Sequence, residues 1–287
     1  MKLVFRVVLS AVAYFVGVVL TRLFSDALGL PGLPAHPGAT QQRTLLLLAL
    51  AVPLLSLSLV PLALGIGGRW VRRWLTIAFV LFVCVGLNTV IEWLVFTQRS
   101  QYASPWMSIY FLIPTASAAA VLVLPLRRVE VQPMARYGLA GWMWRVFVAW
   151  LAFPMIYLVF GMCVTPFVSA HYRAGDAGLV IPPMSIILLT QMLRSVLFLA
   201  SSLVVISVWS QSRLRLILAM GLAQATMVGF FGLVQGYWLS PMLRLAHGIE
   251  ITADSFAYAA VLALLFVDRS PTAAEPTLRM AAVKTIS

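Results

Sequence analysis

Charge is scarce in this sequence. Of 287 residues only 10% are charged, against about 25% in an ordinary soluble domain, and acids are the scarcer sign, eight against twenty Lys and Arg. Cysteine is nearly absent. Cys84 and Cys163 each sit inside an apolar stretch, which excludes a disulfide framework and a CxxC metal site and leaves two small core-type residues. There are three histidines and no CxxCH, and no two histidines fall on facing segments at one depth, so a bis-histidine haem is not expected. Signatures of soluble catalysis are missing too: no GxSxG, no HExxH, no P-loop, no GxGxxG. No metal and no cofactor is expected from these residues.

What is present is apolar length. Hydrophobic residues make up 62% of the chain, the mean hydropathy is +0.99, and continuous apolar runs of about twenty residues recur from end to end. Such runs are unlike the alternating strands of a barrel. The fold class read here is all-α: a polytopic helical membrane protein with about eight transmembrane helices. The lipid bilayer is its expected partner. The net charge of +12 has a membrane explanation, because no basic cluster interleaved with aromatics marks a nucleic-acid surface.

The segments read in order as Leu3–Leu20, Thr44–Ile66, Trp74–Phe96, Trp106–Leu126, Val146–Val168, Met184–Val208, Leu216–Trp238 and His247–Val267. The first has basic residues at its start and Ser25-Asp26-Ala27 beyond it, a loose signal-peptide pattern. An uncleaved span is preferred because the apolar run continues through Leu23 and Phe24. Arg22 and Asp26 form an i, i+4 pair at its far end. A Pro/Gly loop carrying His36 comes next, at 29–43. Pro53 and Pro61 are expected to kink the second segment. The fourth is rich in small residues from Ala116 to Ala120. The central loop 127–145 is the most basic stretch, and the loop 169–183 holds His171, Arg173 and Asp176. Gly229, Gly232 and Gly236, with Ala223 and Ala225, predict a close-packing face on the seventh segment. Residues 1–268 are expected to form one bundle, with 269–287 a cytoplasmic tail.

Eight spans place both termini on one side of the membrane. That side then holds fourteen of the twenty Lys and Arg, the other side five, and Arg194 falls within a span. The positive-inside rule makes the terminal side cytoplasmic. Tryptophans flank both ends of the spans as an aromatic belt. The excess of Arg over Lys is read as the codon bias of a GC-rich bacterial genome, and the expected location is then the bacterial inner membrane. An internal 4+4 parallel repeat, with halves 1–126 and 137–268, is suggested by FRVVLSAVAYF (5–15) beside WRVFVAWLAFP (144–154), and by LSLSLV (55–60) beside LASSLV (199–204).

Polar residues within the spans are the candidates for function, because each is costly in lipid. At 1.5 Å per residue, Glu92 lies about 6 Å below the outer end of its segment, Asp254 about 10, Gln191 about 11, Asn88 about 12 and Arg194 about 15, with Gln235 higher and Gln224 deeper. Segments three, six, seven and eight thus share a polar band in the outer half. Arg194 needs a carboxylate, and Glu92 or Asp254 is expected to supply it. His247, Glu250, Asp254 and Tyr258 form one stripe on the last helix. The stripe reads as an interfacial helix start, as proton or cation handling, or as a thin metal-ligand set completed by Glu92. Asp254 is the member judged deep enough to meet Arg194.

The functional expectation is a small-solute or ion transporter or permease-like protein. Arg194 would bind or balance negative charge, Glu92 and Asp254 would carry protons or cations, and Asn88, Gln191 and Gln235 would orient substrate, with His247 and Glu250 at the rim. The alternatives are an intramembrane enzyme using the same acids with His247 as acid/base, or a non-catalytic scaffold.

Overall fold

The computed structural model describes residues 2–33, 40–97, 104–124, 131, 137–175 and 178–267. His36, the arginines Arg127, Arg128 and Arg136 of the basic loop, Asp176 and the tail 269–287 lie outside the described residues. Among the described residues, eight helices are long and apolar enough to cross a membrane, and no strand forms, only two isolated bridges. They are α1 (Leu3–Ala27), α2 (Gln41–Gly65), α3 (Trp70–Phe96), α4 (Pro105–Val123), α5 (Leu139–Arg173), α6 (Met184–Ile206), α7 (Arg213–Gln235) and α8 (Pro241–Phe266). The chain is an all-α, multi-pass membrane-type protein. Large apolar side chains such as Phe5, Leu50, Met155, Leu189 and Leu264 cover its outside, as expected of a surface facing lipid.

Several helices outrun the apolar segments that predicted them. Hydropathy measures the hydrocarbon crossing, whereas a helix continues for as long as its backbone bonds are met. The last helix does not start near His247: Ser240 caps it, accepting from Leu243 N at 3.2 Å, and Pro241 occupies the first turn. His247 is therefore well inside the helix. At about 1.5 Å per residue, α5 with its 35 residues reaches about 52 Å, so His171 and Arg173 are helical and not in a loop. Of the two expected kinks, Pro53 sits within continuous helix, while α2 breaks at Leu59, two residues before Pro61. Pro61 has no N–H to continue the ladder.

Small residues set the closest contacts. A side chain at Gly17 of α1 would meet the Pro114 backbone of α4 at 2.5 Å, and Ser10 and Ser117 tie the same two helices by bonds to Ala118 O (3.1 Å) and Ala13 O (2.9 Å). On α7, a Cβ at Gly221 or Gly229 would meet Phe256 or Ile251 of α8 at 2.6 or 2.9 Å. Gly232, expected on the same face, has nothing within 4 Å of its missing Cβ, because it borders an opening.

Two features recur in the two halves of the chain. Both α3 and α7 contain a six-residue π turn, Phe82–Leu87 and Ala225–Phe230, each preceded by twelve residues of α-helix and each containing Val-Gly (Val85-Gly86, Val228-Gly229). The two π turns pack against each other. The turns before α3 and α7 meet in an antiparallel bridge between Ile66 and Trp209, with Gly67 N donating to Val208 O (2.7 Å) and Ser210 N to Gly65 O (2.9 Å). One sequence offset relates Ile66 to Trp209, Trp70 to Arg213, Phe82 to Ala225 and Glu92 to Gln235. The LSLSLV alignment falls within one residue of that offset, and the alignment of the first and fifth segments is displaced by one helical turn.

The end of the bundle holding this bridge is termed the near end. Its arginines cap helix C-termini: Arg72 donates to Ser207 O, Arg73 to Ala63 O, Arg145 to Leu265 O and Arg213 to Val267 O. A guanidinium there satisfies orphan carbonyls and complements the helix dipoles.

Candidate functional site

From the opposite, far end a cavity of about 670 Å³ descends between the helices. That volume lies within the roughly 300–1,000 Å³ typical of small-molecule sites. Leu33, Thr97, Trp238 and Leu239 lie at its upper edge, and Arg194, Phe198, Gln224 and Tyr258 line its depth. Near the mouth, Arg22 pairs with Asp26 at 2.9 Å and Arg43 lies over the Tyr237 ring at 3.9 Å.

Arg194, buried to 6% exposure, anchors the polar part. Its helix is pinned to α5 on both sides of it, by Trp150 Nε1 to Met192 O (3.2 Å) and Ser195 Oγ to Trp150 O (2.6 Å). Arg194 Nη2 donates to Glu92 Oε1 at 3.2 Å, and Nη1 to Gln191 Oε1 at 3.4 Å. Asn88 Nδ2, one turn before Glu92, donates to the same Oε1 at 2.9 Å. Of the two partners expected for Arg194, the fold selects Glu92. The predicted depths of the two differ by most of two turns, and the long arginine stem spans that difference by carrying its head toward the polar end.

The α8 stripe faces this cavity. His247, Glu250, Asp254 and Tyr258 all line it. His247 Nδ1 lies 2.9 Å from Glu250 Oε2, and His247 Nε2 lies 3.1 Å from the Tyr172 hydroxyl. Glu250 is 6% exposed, so the interfacial, solvated reading of this pair is corrected: the helix starts earlier, and α5 covers that face. Asp254 is 7% exposed, and among the described residues it makes no hydrogen bond and no ion pair; its Oδ1 is fully buried without a partner. Arg194 and Glu250 are both within electrostatic reach of it. Tyr157 is within reach of Arg194, Glu250, Glu92 and Asp254 together, which places all four charges in one locality.

Six of the eight residues expected in a polar site therefore line one cavity: Arg194, Glu92, Asp254, Gln235, His247 and Glu250. Asn88 and Gln191 stand behind it, 2% and 0% exposed, holding Glu92 and Arg194. Gln235 spends its amide nitrogen on Phe231 O at 2.7 Å. The metal arrangement weighed for the stripe is not formed: among the described residues no three His, Cys, Asp or Glu side chains come together as a ligand set.

Sequence reasoning missed the aromatic wall, to which α1 and α5 contribute, and the lining that α2 adds through Thr44, Leu45 and Leu48. Tyr14, Phe153, Tyr157 and Tyr172 line the cavity beside Trp93, Phe198 and Phe231. Phe153 stands edge-on to Phe198 and Tyr258, at 5.0 and 5.3 Å between ring centres. A helix that is apolar all round shows no face in its sequence, so no signal distinguished these aromatics from lipid-facing ones. No protein-family model matches the chain, and neither does any curated protein or any solved structure.

Proposed function

We propose that this protein is a transporter that carries a small solute or ion across a bacterial inner membrane, with the far-end cavity as its binding site. The observation that carries this reading is the cavity itself, which runs from the far end down to a buried arginine and on whose wall Asp254 has no hydrogen-bond or ion-pair partner among the described residues. A scaffold would gain nothing from an open volume or an unpaired acid inside the membrane. The bridged, π-turned pair α3 and α7 supports a duplicated architecture with halves 1–126 and 137–268, the parallel arrangement common among transporters. The arginines at the near end favour a cytoplasmic placement of both termini.

The test is access from two sides. With Cys84 and Cys163 replaced by serine, Ser255→Cys places a thiol in the cavity wall. A membrane-impermeant thiol reagent is expected to reach it from either face, in right-side-out and in inverted vesicles, as alternating access requires. Labelling from one face alone would overturn transport.

That second outcome would favour an intramembrane enzyme, which one specific feature supports. His247 is held between Glu250 and Tyr172, the carboxylate–imidazole arrangement that orients a general acid or base.

A further inference from the structure

We infer that the cavity binds an organic monocation bearing apolar substituents, such as an amine or quaternary ammonium compound, with Asp254 as its counter-ion. This rests on the reading of the cavity as a transport site.

The charges decide the sign of the ligand. The cavity is lined by three carboxylates, Glu92, Glu250 and Asp254, against the guanidiniums of Arg194 and Arg22 and one imidazole, and Arg22, near the mouth, is already paired with Asp26. Arg194 gives Nη2 to Glu92 and Nη1 to Gln191, so Glu92 balances its charge and Nε alone is left without a hydrogen-bond partner. His247 is committed at both ring nitrogens, to Glu250 and Tyr172. Asp254 remains, enclosed to 7% exposure and paired with nothing among the described residues. Arg194 is within electrostatic reach of Asp254 but pairs with Glu92, and a buried acid that faces a cavity without a directly paired cation favours a positively charged ligand.

The walls decide its chemical class. A bare metal ion takes several oxygen ligands at once, and among the described residues no group of three or more ligating side chains is assembled. What surrounds the polar floor instead is aromatic: Tyr157, Phe231, Trp93 and Tyr258, with Phe198 and Phe153 already beneath the Arg194 guanidinium at 5.5 and 6.0 Å. Ring faces attract a cation through their quadrupoles and at the same time desolvate apolar substituents. One carboxylate with aromatic walls satisfies a diffuse organic cation, and would leave a small hydrated one largely unsolvated.

The experiment uses the full-length protein in detergent and tetraphenylphosphonium as the probe, with tetraphenylborate as its anionic twin of the same shape. Equilibrium dialysis is expected to show saturable binding of tetraphenylphosphonium and no competition by tetraphenylborate. Asp254→Asn should weaken binding by at least about tenfold, and Asp254→Glu should largely restore it. Equal binding of the two probes, which needs no variant and so does not depend on one folding, would overturn the proposal. So would an unchanged affinity in a folded Asp254→Asn protein. If Ser255→Cys is labelled from both faces while the phosphonium fails to bind, the cation class is wrong and transport stands. If the phosphonium binds and labelling comes from one face, binding stands and transport falls.

Discussion

Arg194 shows how much one residue can announce and how little it can locate. A guanidinium in the middle of a span demands a carboxylate, and that demand is readable from composition and depth alone. Which carboxylate answers depends on how three helices rotate and where a long stem points, and rise-per-residue depth says nothing of either. Glu92 took the role, steadied by Asn88, and Asp254 was left facing the cavity. The pair is partly open, with 37% of the Glu92 side chain accessible. Arg194→Leu should therefore cost about 1–3 kcal/mol, below the ~3–5 of a fully enclosed pair. Adding Glu92→Gln should recover most of that loss, because the unpaired charge is gone. Unfolding midpoints of the single and double variants in one detergent check this; a double variant no more stable than the single would show that the pair does not hold the helices. The proposed transport activity should be lost in both, since both remove the Arg194–Glu92 pair from the cavity floor.

At the scale of single helices, the existence of all eight was legible and several of their ends were not. Twenty apolar residues in a row have no stable alternative in a bilayer, whereas the start of α8 turns on Ser240 and Pro241, two residues outside the apolar run. The π turns in α3 and α7 were invisible for a related reason: one extra residue in a turn leaves hydropathy unchanged and alters only the phase of the residues beyond it. The glycine row on α7 was read as one packing face, but it serves two purposes. Gly229 abuts Ile251, as Gly221, outside the row, abuts the Phe256 ring, while Gly232 faces open volume. Gly221→Ala should thus destabilise by about 1–3 kcal/mol through overpacking. Gly232→Ala should be neutral, or stabilising by up to about 1 kcal/mol from helix propensity. Thermal unfolding of the two variants side by side distinguishes them, and equal losses would mean that both glycines pack.

For the whole molecule, the relation between the two halves is carried by backbone more than by side chains. Gly65 lies so close to the Trp209 ring that no Cβ fits without displacing it, and the reciprocal bonds around Ile66 and Trp209 place that pair at the wide spacing of an antiparallel ladder. Their Cα atoms are then about 4.5 Å apart, inside the range a disulfide tolerates. Ile66→Cys with Trp209→Cys, in a chain with Cys84 and Cys163 replaced, should cross-link nearly completely under mild oxidation of isolated membranes, as mass spectrometry of the unreduced digest would show. A chain that stays reduced would disprove the contact. The proposed duplication is only faintly legible in the sequence, because apolar segments resemble one another by composition. The firmer traces are positional: the shared offset of the π turns, the repeated Val-Gly, and Glu92 standing where the second half has Gln235.

By itself the sequence determined that this chain is a multi-pass helical membrane protein, how many helices can cross, and that its few intramembrane charges must face protein or water. Those conclusions rest on the cost of exposing backbone and charge to hydrocarbon, which is a local property of each segment. Only the tertiary structure decided that the polar residues share one cavity, that Arg194 meets Glu92, that aromatics from α1 and α5 wall it, and that Asp254 is left unpaired. These depend on the rotation of each helix about its axis and on its neighbours. Hydrophobicity in a bilayer does not specify that rotation, because lipid and a packed apolar side chain are nearly equivalent surroundings.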